Sequence, residues 1–133
     1  EKLVTAKVGI VSAIPFRNRT MPIPTLVQRG VEVLVGNDNV QDYWSTFGSG
    51  NMLQKAHLMA ELYGWSTEFD LSRTLRFATH NVLPLDDKGN KQWPKTGDTA
   101  EFVLIDAGCS AEAVARMSGT AALAHGGNLY WKS

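Results

Sequence analysis

The stretch that decides the fold is Val-Glu-Val-Leu-Val-Gly-Asn-Asp-Asn-Val, residues 31–40. Its first half is short, apolar and rich in β-branched side chains, which is typical of a strand covered on both faces. Gly36 breaks this strand, and the asparagines and aspartate after it favour a turn. Asp38 therefore follows the carboxyl end of the strand, where α/β folds collect catalytic groups and metal ligands. A local capping role for this carboxylate stays open as the alternative.

The segment before residue 31 predicts a second strand, parallel to the first. Residues 7–15 are largely apolar and end at Pro15, which cannot continue a hydrogen-bonded ladder. A short helix is predicted over residues 25–29, entered through Pro24 and stopped by Gly30. The order of strand, helix and strand favours parallel neighbours rather than a hairpin.

A long loop and two helices are predicted next. Residues 36–50 form a loop with several aromatic side chains, and loops of this length are usually functional. Asn51 can cap a helix over residues 52–63, with Gln54 at the reciprocal position of a capping box. Thr67 is predicted to cap the second helix, over residues 68–79.

The chain changes character between residues 81 and 99, where a polar turn, Pro94 and Gly97 interrupt it. We place a domain boundary here, so that residues 1–80 form one domain and residues 81–133 form another. Beyond this boundary, residues 101–106 predict a strand and Ser110 is the predicted cap of a short helix. The sequence His125-Gly126-Gly127 predicts the turn of a β-hairpin.

Composition narrows the classes of partner. The 133 residues carry 13 basic and 13 acidic side chains, so there is no net charge to attract nucleic acid. No apolar run approaches the length that spans a bilayer, so we expect no membrane partner either. Cys109 is the single cysteine, which rules out an intrachain disulfide and favours a cytoplasmic location.

The remaining reactive side chains do not form a complete catalytic set. The histidines, His57, His80 and His125, lack the spacing of metal-binding motifs, and we expect each to have a structural role. Asp38 is the one carboxylate whose predicted position favours chemistry.

Several segments together resemble cytosine deaminase-like metal-dependent amidohydrolases. Gly-Asn-Asp-Asn-Val-Gln-Asp-Tyr-Trp at residues 36–44 and Asn-Met-Leu-Gln at residues 51–54 are similar to the last-strand segment of that family. Residues 14–18, 78–80 and 97–107 resemble further family segments in the same order. The resemblance covers most of residues 8–131 and is strongest at residues 31–57.

The resemblance implies an α/β fold, with residues 1–80 as the C-terminal portion of a (β/α)8 amidohydrolase barrel and residues 81–133 as strands of a small β-sandwich. It implies one divalent metal, Fe or Zn, in the full enzyme. Asp38 would be the metal ligand and the catalytic proton carrier. Asn39 would contact the substrate and Trp44 would form a wall of its pocket. The implied reaction is the deamination of cytosine or a related amino-heterocycle.

A barrel of this class needs about 250 residues, and the chain carries what resembles its last two strands. We therefore expect a C-terminal fragment that is inactive by itself and binds no metal. Its partners would be the remainder of the parent chain, or further copies of itself in a homo-oligomer joined through open strand edges. The alternative is a small non-catalytic α/β protein that binds a partner through the aromatic loop at residues 42–47.

Overall fold

The fold joins a parallel pair of strands, a group of helices and an antiparallel sheet. The computed structural model describes residues 1–14, 20–43 and 46–132. In chain order the elements are α1 (Lys2–Thr5), β1 (Ile10–Ser12), α2 (Ile23–Gln28), β2 (Val33–Val35), α3 (Met52–Tyr63), α4 (Glu68–Thr74), a 3-10 turn (Leu75–Phe77), β3 (Phe102–Ile105), α5 (Ser110–Arg116), β4 (Thr120–His125) and β5 (Asn128–Trp131).

Strands β1 and β2 are parallel, which confirms the prediction from their order. Ser12 lies opposite Val35 at the carboxyl ends of the two strands, and the N–H of Gly36 donates to the carbonyl of Ser12 over 3.0 Å. Both strands are shorter than predicted. The crossover helix α2 begins at Ile23, earlier than predicted, with a proline in its first turn, and the predicted strand end at Pro15 lies outside the described residues.

One face of α3 packs against the parallel strands. Met59 is completely buried, and Met52 and Tyr63 pack against the same cluster. Trp65 stacks on Phe77 with their ring centroids 5.9 Å apart, which extends the apolar contact beyond the helix. The buried members of this cluster are Ile14, Ile23, Val31, Val33, Val35, Met59 and Phe77.

The ends of α3 are those that the sequence predicts, although one detail of its cap is wrong. The Asn51 side chain accepts the N–H of Leu53 at 2.9 Å, and Gly64 ends the helix with a positive φ of 68°. Gln54 does not complete a capping box with Asn51. Its side-chain oxygen accepts from the backbone N–H and the hydroxyl of Ser49, at 3.2 and 3.0 Å. The N–H of Asn51 donates instead to the Ser49 hydroxyl at 3.4 Å, so a nearby serine takes the place of the glutamine.

Helix α4 begins at the predicted cap residue, whereas α5 has a different cap residue from the predicted one. The Thr67 hydroxyl accepts the N–H of Asp70 at 3.1 Å. The cap of α5 is Cys109 and not Ser110, because the Cys109 sulfur accepts the N–H of Glu112 at 3.5 Å. The Glu112 carboxylate reaches back to accept the N–H of Gly108 at 2.8 Å. The two contacts together satisfy free N–H groups at the start of the helix.

Helix α5 packs on α3 and α4, which links the second half of the chain to the first. Val114 is completely buried and shares an apolar cluster with Leu53 and Ala56 of α3. The Nδ1 atom of His57 lies 2.9 Å from the carbonyl oxygen of Val114. His57 therefore joins two helices. The predicted domain boundary between residues 81 and 99 stays a prediction.

The antiparallel sheet has the order β3-β4-β5, and β4 and β5 form the predicted hairpin. Gly126 and Gly127 make its turn, with φ values of 58° and 78°. A two-residue turn of this type requires positive φ at both positions, and glycine adopts them without strain. In the described part of the chain, no helix combines the length and the apolar character needed to cross a membrane.

A carboxylate contacts the turn of the hairpin. The two oxygens of Glu101 accept from the N–H of Gly126 at 3.0 Å and contact Nδ1 of His125 at 2.5 Å. The Gly126 N–H, and then His125, lower the pKa of the Glu101 carboxyl. A carboxyl whose pKa is depressed by folding stabilises the folded state above its ordinary pKa, about 4.3, and that contribution disappears as the pH falls through the lowered value.

We therefore expect the hairpin turn to loosen in acid, below the ordinary pKa of a glutamate. An NMR titration checks this, since the Gly126 amide shift should follow the ionisation of Glu101 and the fitted pKa should lie below that of an ordinary glutamate. In Glu101→Gln the Gly126 amide should lose this transition. A wild-type carboxyl that titrates at its ordinary value would refute the prediction.

Candidate functional site

Asp38 lies in the turn that follows β2, beside the carboxyl end of β1. The side chain is exposed, so its oxygens are accessible to a ligand. Gly36 permits the close approach of the two strands, because a Cβ atom built there would lie 3.2 Å from a methyl carbon of Val11. The parallel register and this glycine together bring the Asp38 turn to the edge where functional groups of parallel sheets gather.

Asn37, next to Asp38, anchors the turn to the first residue of α3. Its Nδ2 atom lies 3.4 Å from the sulfur of Met52. Its Oδ1 atom is buried and has no hydrogen-bond partner among the described residues. The sequence identifies Asn37 as a turn-forming residue, but only Asp38, Asn39 and Trp44 were predicted as site residues.

Asn39 faces back into its own loop. Its Nδ2 group donates to a carboxylate oxygen of Asp42, and the N–H of Gln41 donates to the carbonyl of Phe47 over 3.2 Å. The structure therefore places Asp38 and Asn39 in one short turn. The third predicted site residue, Trp44, lies outside the described residues.

Lys55 is a charged neighbour of Asp38 that the sequence-based prediction did not include. Its ammonium group donates to the carbonyls of Ala13 and Ile14, at 2.7 and 3.2 Å. Burial lowers the pKa of Lys55, and the negative charge of Asp38 offsets part of this by raising it. The available signal was its helical spacing from Met52 and Met59, three and four residues away on the face that packs on the strands, where a lysine is unusual unless its ammonium is bound.

The described residues can supply one ligand of a metal site but not a complete set of ligands. A carboxylate oxygen is an accepted ligand of zinc and of other divalent ions, but a catalytic zinc site takes three protein ligands. Across residues 1–14, 20–43 and 46–132, no three His, Cys, Asp or Glu side chains are grouped closely enough to hold a metal ion. Asp38 could supply one such ligand, and further ligands would have to come from elsewhere.

A depression of about 440 Å³ lies apart from Asp38, between Arg73, Leu83, the Asp86–Asn90 turn and Gln92. Neither Asp38 nor Asn39 lines it. The Arg73 guanidinium donates to the carbonyls of Leu85 and Asp86 and forms an ion pair with Asp87. These contacts hold the polar turn against α4, so the arginine has a structural explanation.

Comparison with known proteins finds relatives in sequence and neighbours in structure. No protein-family model matches it. It is 48% identical over 132 residues to the uncharacterized protein YahJ of Escherichia coli (strain K12), a match that covers 99% of this chain and 29% of YahJ. It is 32% identical over 87 residues to N-isopropylammelide isopropyl amidohydrolase of Pseudomonas sp. (strain ADP), covering 65% of this chain and 22% of that protein. The chain thus spans less than a third of the length of these curated relatives.

Two solved structures have the same fold over nearly the whole chain. N-isopropylammelide isopropylaminohydrolase from Burkholderia multivorans ATCC 17616 matches with a TM-score of 0.73 and 24% identity, over 96% of this chain and 33% of that one. The 5-methylcytosine deaminase from Klebsiella pneumoniae liganded with phosphonocytosine matches with a TM-score of 0.73 and 18% identity, over 98% of this chain and 35% of that one. The chain is a mixed α/β structure whose fold matches about a third of each of these two enzymes.

Proposed function

We propose that these residues carry the last two barrel strands and part of the β-sandwich of a metal-dependent amidohydrolase, which deaminates cytosine or a related amino-heterocycle. The observation that carries the proposal is the position of Asp38, an exposed carboxylate at the carboxyl end of a parallel strand pair. Its support is the fold shared with a 5-methylcytosine deaminase and with an isopropylaminohydrolase.

Asp38 has the chemistry that this reaction requires of a protein side chain. Its carboxylate can bind a divalent ion, Fe or Zn, and can accept and return a proton at the same oxygens. A bound divalent metal supplies hydroxide at neutral pH by lowering the pKa of water. In this proposal Asp38 carries the proton that must reach the leaving amine.

The neighbouring residues would bind the substrate. The Asn39 amide combines a donor and an acceptor, which suits the paired polar edge of an amino-heterocycle. In the described structure its Nδ2 group is bonded to Asp42, so substrate contact would use the Asn39 oxygen or replace that bond. Trp44 is proposed as an apolar wall for a flat ring.

The edges of the parallel pair would be covered by the rest of the parent chain. Val11 of β1 is 69% exposed although it lies in a strand, and among the described residues β1 pairs only with β2. A two-stranded sheet is marginal by itself. We propose that further barrel strands and the remaining metal ligands lie in sequence upstream of Glu1, and that association of copies through these edges is the alternative.

The test uses the protein made from its complete coding sequence. We expect the frame upstream of Glu1 to encode a His-x-His sequence, the purified protein to contain a divalent metal, and ammonia or alkylamine to be released from cytosine, 5-methylcytosine or N-isopropylammelide. An initiator methionine directly before Glu1, together with a metal-free protein, would refute the proposal.

A second candidate function is partner binding without catalysis. The observation in its favour is the exposure of two aromatic side chains in the loop, 100% for Tyr43 and 82% for Phe47. Exposed aromatic residues are common anchors in protein interfaces. Replacing both with serine separates the two functions, because this change should abolish partner capture by a binding protein and should leave metal content unchanged in an enzyme.

A further inference from the structure

We infer that Lys55 is a positioning residue, which clamps the carboxyl end of β1 and holds the Asp38 turn beside it. Lys55 lies on α3, the helix that follows the loop after β2. Its ammonium group reaches back to the carbonyls of Ala13 and Ile14, residues that follow β1. A single side chain thus joins the helix to the end of one strand.

The contacts explain why a half-buried ammonium is stable at this place. An ammonium offers three donors, and two of them meet backbone carbonyls at 2.7 and 3.2 Å. Ile14 is 3% exposed, so its carbonyl lies at the margin of the core and benefits from an internal donor. The negative charge of Asp38 acts on the same ammonium, which gives the cation a favourable neighbour in the turn after β2.

The position is suited to a supporting role rather than to direct chemistry. Metal ligands are commonly held by a surrounding layer of hydrogen-bonded groups, and loss of such a group typically weakens metal binding about 10–100-fold. Both described hydrogen bonds of the Lys55 ammonium go to backbone carbonyls. By fixing Ala13 and Ile14 it also fixes the adjacent Ser12, whose carbonyl accepts the N–H of Gly36 over 3.0 Å at the start of the Asp38 turn. The part of this inference that concerns a metal rests on the proposed function.

The test compares three variants in the protein made from its complete coding sequence. Lys55→Met removes the charge and keeps the length, Lys55→Arg keeps the charge, and Lys88→Met changes an exposed lysine in a distant turn. We measure amide deuterium exchange at residues 36–42 and at residues 120–131. We also measure the divalent metal retained after a fixed exposure to chelator.

We expect Lys55→Met to speed exchange at residues 36–42 by roughly tenfold, because hydrogen bonds to a charged group are lost. Exchange at residues 120–131 should not change. Metal retention should fall about 10–100-fold. Lys55→Arg should restore most of both properties, and Lys88→Met should behave as the wild type.

Unchanged exchange at residues 36–42 in Lys55→Met would overturn the inference. Faster exchange at both segments would overturn it too, because Lys55 would then support the whole fold. The proposed function fails by a different result, namely equal metal retention in the wild type and in Asp38→Asn. The exchange comparison still decides the role of Lys55 in that case.

Discussion

Asp38→Asn is expected to lower kcat of the complete protein by about 10²–10⁴-fold, the usual contribution of a positioned general acid or base. The amide has nearly the shape of the carboxylate, but it lacks the charge that binds a divalent ion and it does not accept a proton near neutral pH. Divalent metal content should fall in the same variant. Both quantities are measured on purified protein, by steady-state kinetics and by elemental analysis.

The exposure of Asp38 makes this variant informative. Replacing an exposed side chain usually changes stability by only about 0.5 kcal/mol, so unfolding would not explain a loss of activity of this size. Asp106→Asn is the matched control, because Asp106 is also an exposed aspartate that directly follows a strand, β3. Equal activity and metal content in both variants and the wild type would remove Asp38 from the mechanism.

Met59→Ala is expected to destabilise the protein by about 2–5 kcal/mol, the range for truncating a buried methionine to alanine. Met59 is 0% exposed and lies in the cluster with Val33 and Val35 of the strand before Asp38. The substitution leaves a cavity under the parallel strands, and the surrounding side chains can fill it only in part. Urea unfolding followed by circular dichroism gives the change in the free energy of unfolding.

Leu62→Ala on the same helix is the control. Leu62 is 41% exposed, so its truncation removes less buried surface and should cost far less than that of Met59. A loss of stability in Met59→Ala no larger than in Leu62→Ala would show that α3 does not pack on the parallel strands in solution.

The parts of the fold that the sequence predicts are those set by neighbouring residues. Asn51 and Gly64 fix the two ends of α3, because a side-chain cap and a left-handed glycine act within one turn of the helix. Gly126 and Gly127 fix the hairpin in the same way. The errors arise where two nearby groups could accept the same N–H. Ser49 accepts the N–H of Asn51 in place of Gln54, and Cys109 is the cap of α5 in place of Ser110.

In the candidate site, too, local signals placed one residue and long-range contacts placed another. The sequence by itself placed Asp38 after the last residues of a buried strand, since an apolar run, a glycine and turn-forming residues are local signals. Only the tertiary structure brought Lys55 to the carbonyls of Ala13 and Ile14, which lie more than forty residues away along the chain. The packing of Val114 against α3 was decided in the same way. Such contacts depend on how the elements pack against one another, and the apolar pattern of a single segment does not determine that packing.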